Sequence, residues 1–434
     1  MSAARDKDAA LRSFEAAWHA RPEDRIAATR ADAMRRFLAL GLPSPRDESW
    51  RHTNLRALAS RPFADAEPAS STRTSWLAGV CADPIALVNG RPSPTALGRT
   101  GDPALSIETL RASIDRDPAS LAARLASIGD AESERWALLN RALFVDGLHV
   151  RIAGRVAAPL LIVHCAETSR DDAAVHSRVL VDVAAGAEAT IIEHHLGGSG
   201  RATLVNHATQ LHLAPGASVE HYRVFSGDAR TTQFDALEIT QAADSRCRQF
   251  TVALGGALLR ANLSGRLDAP GAEHDSYSLL VGHGARQVDC VNAIVHAASR
   301  TTSRQTARAL AAGTSRVIFN SRVLVEAGTA GAASNQSSRG LLLSPTAEID
   351  ARPQLEILAD DVKCAHGATT GRLDPNMLFY LLARGIDRAA AQTLLIYAFL
   401  DDLLTGMSIP GARRAIEEAL IEELPGADLL RAYR

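Results

Sequence analysis

From His149 to His366 the chain is a succession of short β-type runs with no helical pattern between them: HVRIAG, LLIVHCAE, RVLVDVAAG, ATIIEHHLG, TQLHLAPG, SVEHYRVF, FDALEITQ, QFTVALGG and SYSLLVGHG. They are broken by Gly, Pro-Gly and Asn signals, and strands without intervening helices predict an all-β body. One small turn recurs: Gly186-Ala187-Glu188, Gly216-Ala217-Ser218 and Gly271-Ala272-Glu273 lie 30 and 55 residues apart. The second interval is close to twice the first, which suits a solenoid whose coils stack the same turn on itself. A sandwich would show hairpins every ~8–12 residues with Asn-Gly or Asp-Gly loops, and few of those occur. The expectation is a mainly β solenoid.

Helical periodicity frames this body. Leu11, Phe14, Ala17 and Trp18, then Ile26, Ala33, Met34, Phe37, Leu38 and Leu40, predict two amphipathic helices between Asp6 and about Leu42. A short helix or turn follows near Asn54 to Ala59, a linker rich in Ala, Ser and Pro from Pro62 to Thr74, and helices over Ser106 to Ile114 and Ser133 to Leu143. After the β region, Asp374-Pro375 forms an N-cap and first-turn pair, and Gly385 stops that helix. RAAAQTLLIYAFLDDLLTGM and ARRAIEEALIEELPG supply two more. The chain thus divides into an N-terminal helical and mixed region, 1–148, a β core, 149–370, and a C-terminal helical domain, 371–434.

Composition excludes several functions. The formal net charge of -2 gives no long-range field for nucleic acid or an anionic membrane. No apolar run approaches the roughly 18 residues that span a bilayer, and the charged start MSAARDKDAALRSFEAAWHARPEDR lacks the apolar segment of a signal peptide. A cytoplasmic protein is expected. The only lysines are Lys7 and Lys363, and neither sits in GxxxxGK[ST], so the chain should not hydrolyse ATP by itself. Cys81, Cys165, Cys247, Cys290 and Cys364 are scattered, with no CxxC pair, and are expected as reduced thiols.

Cys364 and His366 stand two apart in VKCAHG, so on a strand both project from one face. A thiolate and an imidazole there could hold iron or a sulfur species. The plainer reading is a small packed thiol beside a chance histidine. A free thiol titrates near 8.5, so Cys364 would need Lys363, His366 or a metal to become a thiolate at neutral pH. Eleven of the 14 histidines lie between His164 and His366. A metal-dependent enzyme could use such a set, but His194 and His195 are strand neighbours facing opposite ways and cannot easily share one ion; they are read as structural or solvent-facing. Cys165, Cys247 and Cys290 have no ligand spacing and are read as packing. The stripe Met377, Leu378, Leu381, Leu395, Tyr397, Phe399, Leu400 and Leu403 could bind a partner or form a helical cap, and from composition alone the cap is the simpler reading.

Three collinear blocks carry a family resemblance: GLPSPRDESWRHTNL, the run from Asn262 through VNAIVHAASRTTSRQTARALAAG to SRVLV, and SRGLLLSPTAEIDARPQLEILADDVKCAHGATTGRLDPNMLFYLLARGID from Ser338 to Asp387. Together they resemble the SufB/SufD family of the SUF iron–sulfur cluster assembly machinery over most of the chain. The resemblance implies a right-handed parallel β-helix flanked by N-terminal and C-terminal helical regions. It also implies a non-catalytic scaffold subunit that pairs with a SufB-like chain through the β-helix and docks a SufC-like ABC-type ATPase on the C-terminal helices, with Met377, Leu378, Leu381, Tyr397, Phe399 and Leu403 as docking candidates. SufB-type chains carry a cysteine before the Leu-Leu run and a glutamate in a His-Glu-Ala-Thr-Thr motif; here Ser338 and Gly367 stand at those places. That places the chain on the SufD-like branch, with no cofactor stably bound by the isolated chain and only transient iron, sulfide or cluster at the SufB-like interface, near His366 and Cys364. An isolated chain could self-pair through the same face.

The competing class is a β-helix carbohydrate-active enzyme, a lyase or hydrolase. Such enzymes stack sugars on aromatic rings, and aromatics are only 4% of this chain.

Overall fold

In the computed structural model, which describes residues 9–81, 83–93, 101–126 and 135–423, each circuit of the chain adds one strand to each of two sheets. Ser218–Phe225 pairs in parallel with Glu188–Gly197 before it and Arg246–Ala253 after it. Thr231–Gln241, on the opposite sheet, pairs in parallel with Thr203–Leu213 and Leu258–Leu267. The result is two 10-stranded sheets facing one another, a parallel β-solenoid of about 8 turns with helices at both ends.

The recurrent turn keeps the stack in register. Gly186 and Gly216 (both φ +69°) and Gly271 (φ +78°) occupy the left-handed region that L side chains avoid. The Gly186 N–H donates to the carbonyl of Pro215 one coil on, Gly216 to Ala243 and Gly271 to Arg300. The 55-residue interval conceals one copy, because Asp244 takes φ +55° at the equivalent place and its N–H donates to Pro270. Aspartate tolerates this region better than most residues. Arg300, Gly331 and Asp361 continue the column with φ of 56°, 72° and 54°. The residue after each turn, Ala187, Ala217, Ser245, Ala272, Thr301 and Ala332, is buried, and must be small because its equivalents stack directly above and below it.

Alternate residues of each strand point into the lumen. One end of the strands packs an apolar column that includes Val181, Ile191, Leu211, Val219, Ile239 and Leu263. The other contributes a second, with Phe225, Leu280, Val288, Ala309 and Phe319. Between them runs a polar layer, including Glu193, His207, His221, Arg223, Asp235, Gln249, Asn292, Gln305 and Gln336, all buried.

Helices seal the outer faces. Ala9–His19, Ala27–Leu40 and Arg135–Leu143 cover one sheet, where Trp136 stacks on Phe234 at 3.7 Å and 5°. Arg388–Leu404 and Pro410–Glu423 lie on the other sheet, placing Ile396, Leu400, Leu403 and Leu404 against Leu161, Tyr222, Phe250 and Leu279.

Some local expectations change. Ser106 to Ile114 is not one helix: Leu105–Thr109 is a strand antiparallel to Gly147–Ile152, and only then does Leu110–Arg116 turn helical. The Thr109 hydroxyl accepts from the Ala112 N–H and caps that helix, so the helix starts where a cap permits. The Pro62 to Thr74 linker contains a two-residue strand, Ala64–Asp65, paired with Ala173 and Ala174. Helix Pro118–Ala126 is an addition to the expected elements. The sheets also recruit Ile85–Val88, which pairs in parallel with Leu160–Cys165, from before His149. Asp6, Lys7 and Ser133 lie outside the described residues.

A Cβ added at Gly216 would meet nothing closer than Gly186 at 3.8 Å, so Gly216→Ala tests backbone conformation alone; it should lower stability by about 1–3 kcal/mol in urea unfolding. Burial pushes His176 and His274 down to about 3 and His296 to about 4. The unfolded chain takes up these protons near pH 6.5 and the native chain does not. Stability is therefore lost as pH falls below about 6.5, by about 1.4 kcal/mol per pH unit per histidine down to the folded value. Urea midpoints should drop between about pH 7 and about pH 5.5; a flat profile would refute the assignment.

Candidate functional site

The last coil has a neighbour on one side only. Lys363–Gly371 is the terminal strand of its sheet, paired in parallel with Ala333–Leu342 through Ser334↔Cys364, Gln336↔His366 and Ser338↔Ala368. Glu348–Ile357 ends the other sheet in the same way. Every residue of Lys363–Gly371 is exposed except half-buried Cys364. The backbone groups on its far side form an open edge, which in folded proteins is covered, blunted or used for pairing.

Cys364 and His366 share the inward-facing side of that strand, as their spacing predicts. Cys364 sits at the end of the apolar column and packs against it. Burial pushes its thiol up from the ordinary value, with only a backbone hydrogen bond from Ser334 opposing, so the thiol form dominates at neutral pH. His366 heads a column of inward side chains that runs back through Gln336, Gln305, Ser276, Gln249 and His221. All of those below it are buried, while His366 is exposed because no described coil lies above it. Ser338 is buried in the lumen, whereas a Cβ at Gly367 would meet nothing within 4 Å.

The helix Pro375–Leu382 follows within four residues. Its N-cap is Asp374, whose carboxylate accepts from the Asn376 N–H, with Pro375 in the first turn, and Gly385 beyond it takes φ +83°. None of its residues is buried: Met377, Phe379 and Tyr380 are 58%, 71% and 57% exposed, and Leu378 and Leu381 are half-buried. The rest of the apolar stripe is placed differently. Tyr397 and Phe399 are half-buried, Phe399 beneath the Arg308 guanidinium at 5.9 Å. Leu403 is 2% exposed and packs on the solenoid.

The histidine pair separates as expected, but neither ring reaches solvent. His194 faces outward under Trp76, with Nδ1 at 2.6 Å from Ser75 Oγ and Nε2 at 2.8 Å from Ser226 Oγ. His195 faces the lumen. Cys165, Cys247 and Cys290 are buried, and burial raises all three thiols, Cys290 to about 11. Phe379 and Tyr380 escape the sequence reading, which follows the apolar periodicity of the helix to its inner face.

Comparison with known proteins places these features in context. Residues 165–399 match the family model described as "SUF system FeS cluster assembly, SufBD core domain". The chain is 28% identical over 399 residues to the iron-sulfur cluster assembly protein SufD of Escherichia coli, covering 91% of this chain and 92% of that one. A SufBD family protein of Synechocystis is 28% identical over 384 residues, 84% of each chain. SufD of Bacillus subtilis is 28% identical over 285 residues, 64% of this chain and 63% of that one.

The thiol environments make a direct prediction. Alkylation of the folded protein should label half-buried Cys364 and Cys81, with Cys364 slower at neutral pH than a free thiol of pKa near 8.5. The three buried cysteines should react only after unfolding. Rapid labelling of Cys364 at neutral pH by peptide mass mapping would contradict its assigned environment.

Proposed function

The chain belongs to the SufBD core family of the SUF iron–sulfur cluster assembly system, on its SufD-type branch, and on that premise we propose that it is a non-catalytic scaffold subunit whose last solenoid coil is completed by a SufB-like chain. The observation that carries this reading is the open strand Lys363–Gly371, exposed along its length and bearing His366. A parallel coil leaves unpaired N–H and C=O groups on its outer side, and a second β-helix end supplies their partners at the same time as it buries the strand. His366 then lies at the seam, an imidazole available to transient iron, sulfide or nascent cluster as cargo, with Cys364 beside it as a protonated thiol until a metal or base takes its proton. With Ser338 and Gly367 contributing no thiolate or carboxylate, the remaining ligands would come from the partner.

A SufC-like ABC-type ATPase is assigned to the projecting helix. Met377, Phe379 and Tyr380, with half-buried Leu378 and Leu381, offer apolar surface that the described residues leave uncovered, and half-buried Tyr397 and Phe399 on the next helix remain docking candidates. Leu403 is withdrawn from that set because it anchors its helix to the sheet. The ATPase would supply the hydrolysis that this chain lacks a P-loop to perform. In the absence of a SufB-like chain the same edge can pair two copies isologously. The family match does not favour the lyase or hydrolase reading.

Co-expression of the tagged chain with SufB-like and SufC-like subunits tests both contacts. Wild type should recover a complex carrying iron and sulfide; His366→Ala should recover the same complex with iron and sulfide reduced severalfold. Phe379→Asp should release the ATPase while leaving the SufB-like chain bound. An intact complex with unchanged cluster in His366→Ala would reduce His366 to a surface residue, and failure of wild type to recover either subunit would overturn the scaffold reading.

A further inference from the structure

Far from the open end, the first coils of the lumen enclose a second group of metal-ligating side chains. The Glu193 carboxylate accepts from His164 Nε2 at 2.9 Å, His207 Nε2 at 3.1 Å and His221 Nε2 at 2.9 Å, and from Thr209 Oγ1 at 2.9 Å. His195 closes the group, its ring stacked on His164 at 4.3 Å and on Phe225 at 4.6 Å. Glu193, His195 and His207 are each 1% exposed and His164 5%.

Hydrogen bonding to the carboxylate accounts for only part of this arrangement. Neither ring nitrogen of His195 has a hydrogen-bond partner among the described residues, nor does Nδ1 of His164. A fully buried imidazole with both nitrogens unpaired is unfavourable, and native interiors rarely keep one. Asp235 Oδ2 stands 3.6 Å from His195 Nε2, beyond hydrogen-bond reach, and that oxygen has no hydrogen-bond partner among the described residues, while Oδ1 pairs with Arg223 at 2.6 Å.

We infer that His164, Glu193, His195 and His207 form a buried site for a divalent first-row transition-metal ion of the nitrogen-preferring class, three imidazoles and one carboxylate in a closed shell. One donor atom from each lies within 4.8 Å of all the others. In a tetrahedral shell, donors about 2.0–2.2 Å from the ion lie about 3.3–3.6 Å apart, so side-chain shifts of about 1–1.5 Å complete the shell. Glu193 Oε2, which faces His164 and His207, is the ligand oxygen. His221 holds Oε1, and the Thr209 hydroxyl lies 2.9 Å from Oε1 and 3.0 Å from Oε2; both orient the carboxylate, the outer-shell arrangement that metal sites commonly show. As donors to Glu193, His164 and His207 carry their proton on Nε2; in the metal-bound form those nitrogens coordinate and the proton sits on Nδ1, which in His207 faces Ser177 Oγ at 2.7 Å.

Four protein ligands leave no position for a substrate, which makes the site structural. Its ligands come from three strands, Leu160–Cys165, Glu188–Gly197 and Thr203–Leu213, on both sheets. The ion therefore pins the two walls of the solenoid together where the stack begins.

Because the site is sealed, loading must occur during folding. The full chain is unfolded with chelator, then refolded with or without Co2+, an ion whose visible bands report its geometry. Wild type should retain one Co2+ per chain with intense bands of a four-coordinate nitrogen and oxygen site, and should melt at higher temperature than the metal-free form. His195→Phe keeps the ring stacking and breaks no hydrogen bond, so it should melt like metal-free wild type and lose the bands. Glu193→Gln should lose them as well, while His366→Ala should keep them. Wild type that refolds without retaining Co2+, His195→Phe that binds Co2+ like wild type, or bands lost in His366→Ala would each overturn the inference.

Discussion

A parallel coil cannot satisfy its own backbone. Every N–H and C=O that points along the stack must find a partner one coil away, and between the described coils they do so at a spacing of about one circuit, through the strands and through the turns alike. Regularity at the turns is the consequence. The left-handed positions from Gly186 to Asp361 must superpose, because a shift of one residue in any coil would turn its inward side chains outward and expose the apolar columns. The start of the stack is closed by antiparallel pairings, Leu105–Thr109 on Gly147–Ile152 and Ile85–Val88 on Arg91–Pro92, which end the parallel ladder. Among the described residues the other end has no such device, and the exposure of Lys363–Gly371 is a consequence of that asymmetry.

Arginine meets the demands of a body like this better than lysine does. Its planar fork can serve several acceptors at once, and the flanking segments are tied to one another and to the solenoid in that way. Arg30 donates to the carbonyls of Arg141, Ala142 and Phe144, and Arg73 to those of Leu196, Gly197 and Gly198. Within the lumen, Arg223 pairs with Asp235 at 2.6 Å with both side chains 1% exposed. Removing either partner would strand a buried charge, at a cost of about 3–5 kcal/mol. Two lysines among 47 basic residues is therefore consistent with the architecture.

What can be read from sequence follows from how far along the chain the relevant partners lie. The strand runs and the Gly-Ala turns are local, and the solenoid follows from them; even the doubled interval has a local cause in Asp244, whose φ of 55° does the work of a glycine. Cys364 and His366 are placed on one face by parity alone. The column beneath His366 and the ring of histidines around Glu193 are not legible, because they join residues 14 to 31 positions apart. Knowing that His195 faces inward requires the strand parity, but knowing what it faces requires the register between coils. The helix at Leu110–Arg116 is misread for a simpler reason: Ser106 and Ile107 sit in a strand whose partner, Gly147–Ile152, is about 40 residues away.

The apolar stripe of the C-terminal region illustrates how burial sorts residues that a sequence presents as equivalent. Ile396, Leu400, Leu403 and Leu404 fall on the side of their helix that meets the sheet, and covering the sheet explains them fully. The Pro375–Leu382 helix has no such explanation. At eight residues it is too short to persist on helix propensity, and its Asp374 cap secures only its first turn. Large apolar groups on such a segment gain little until something covers them, and then contribute about 1.5–3 kcal/mol each. Gly371, the end of the open strand, and Pro375 are four residues apart, so the uncovered edge and the uncovered helix are held close together by the chain itself. A body that completes the last coil must approach this helix, and one that covers the helix lies beside the coil. Contacts at the two places would thereby be coupled, and movement of a body on the helix would have a short mechanical path to the strand that carries His366.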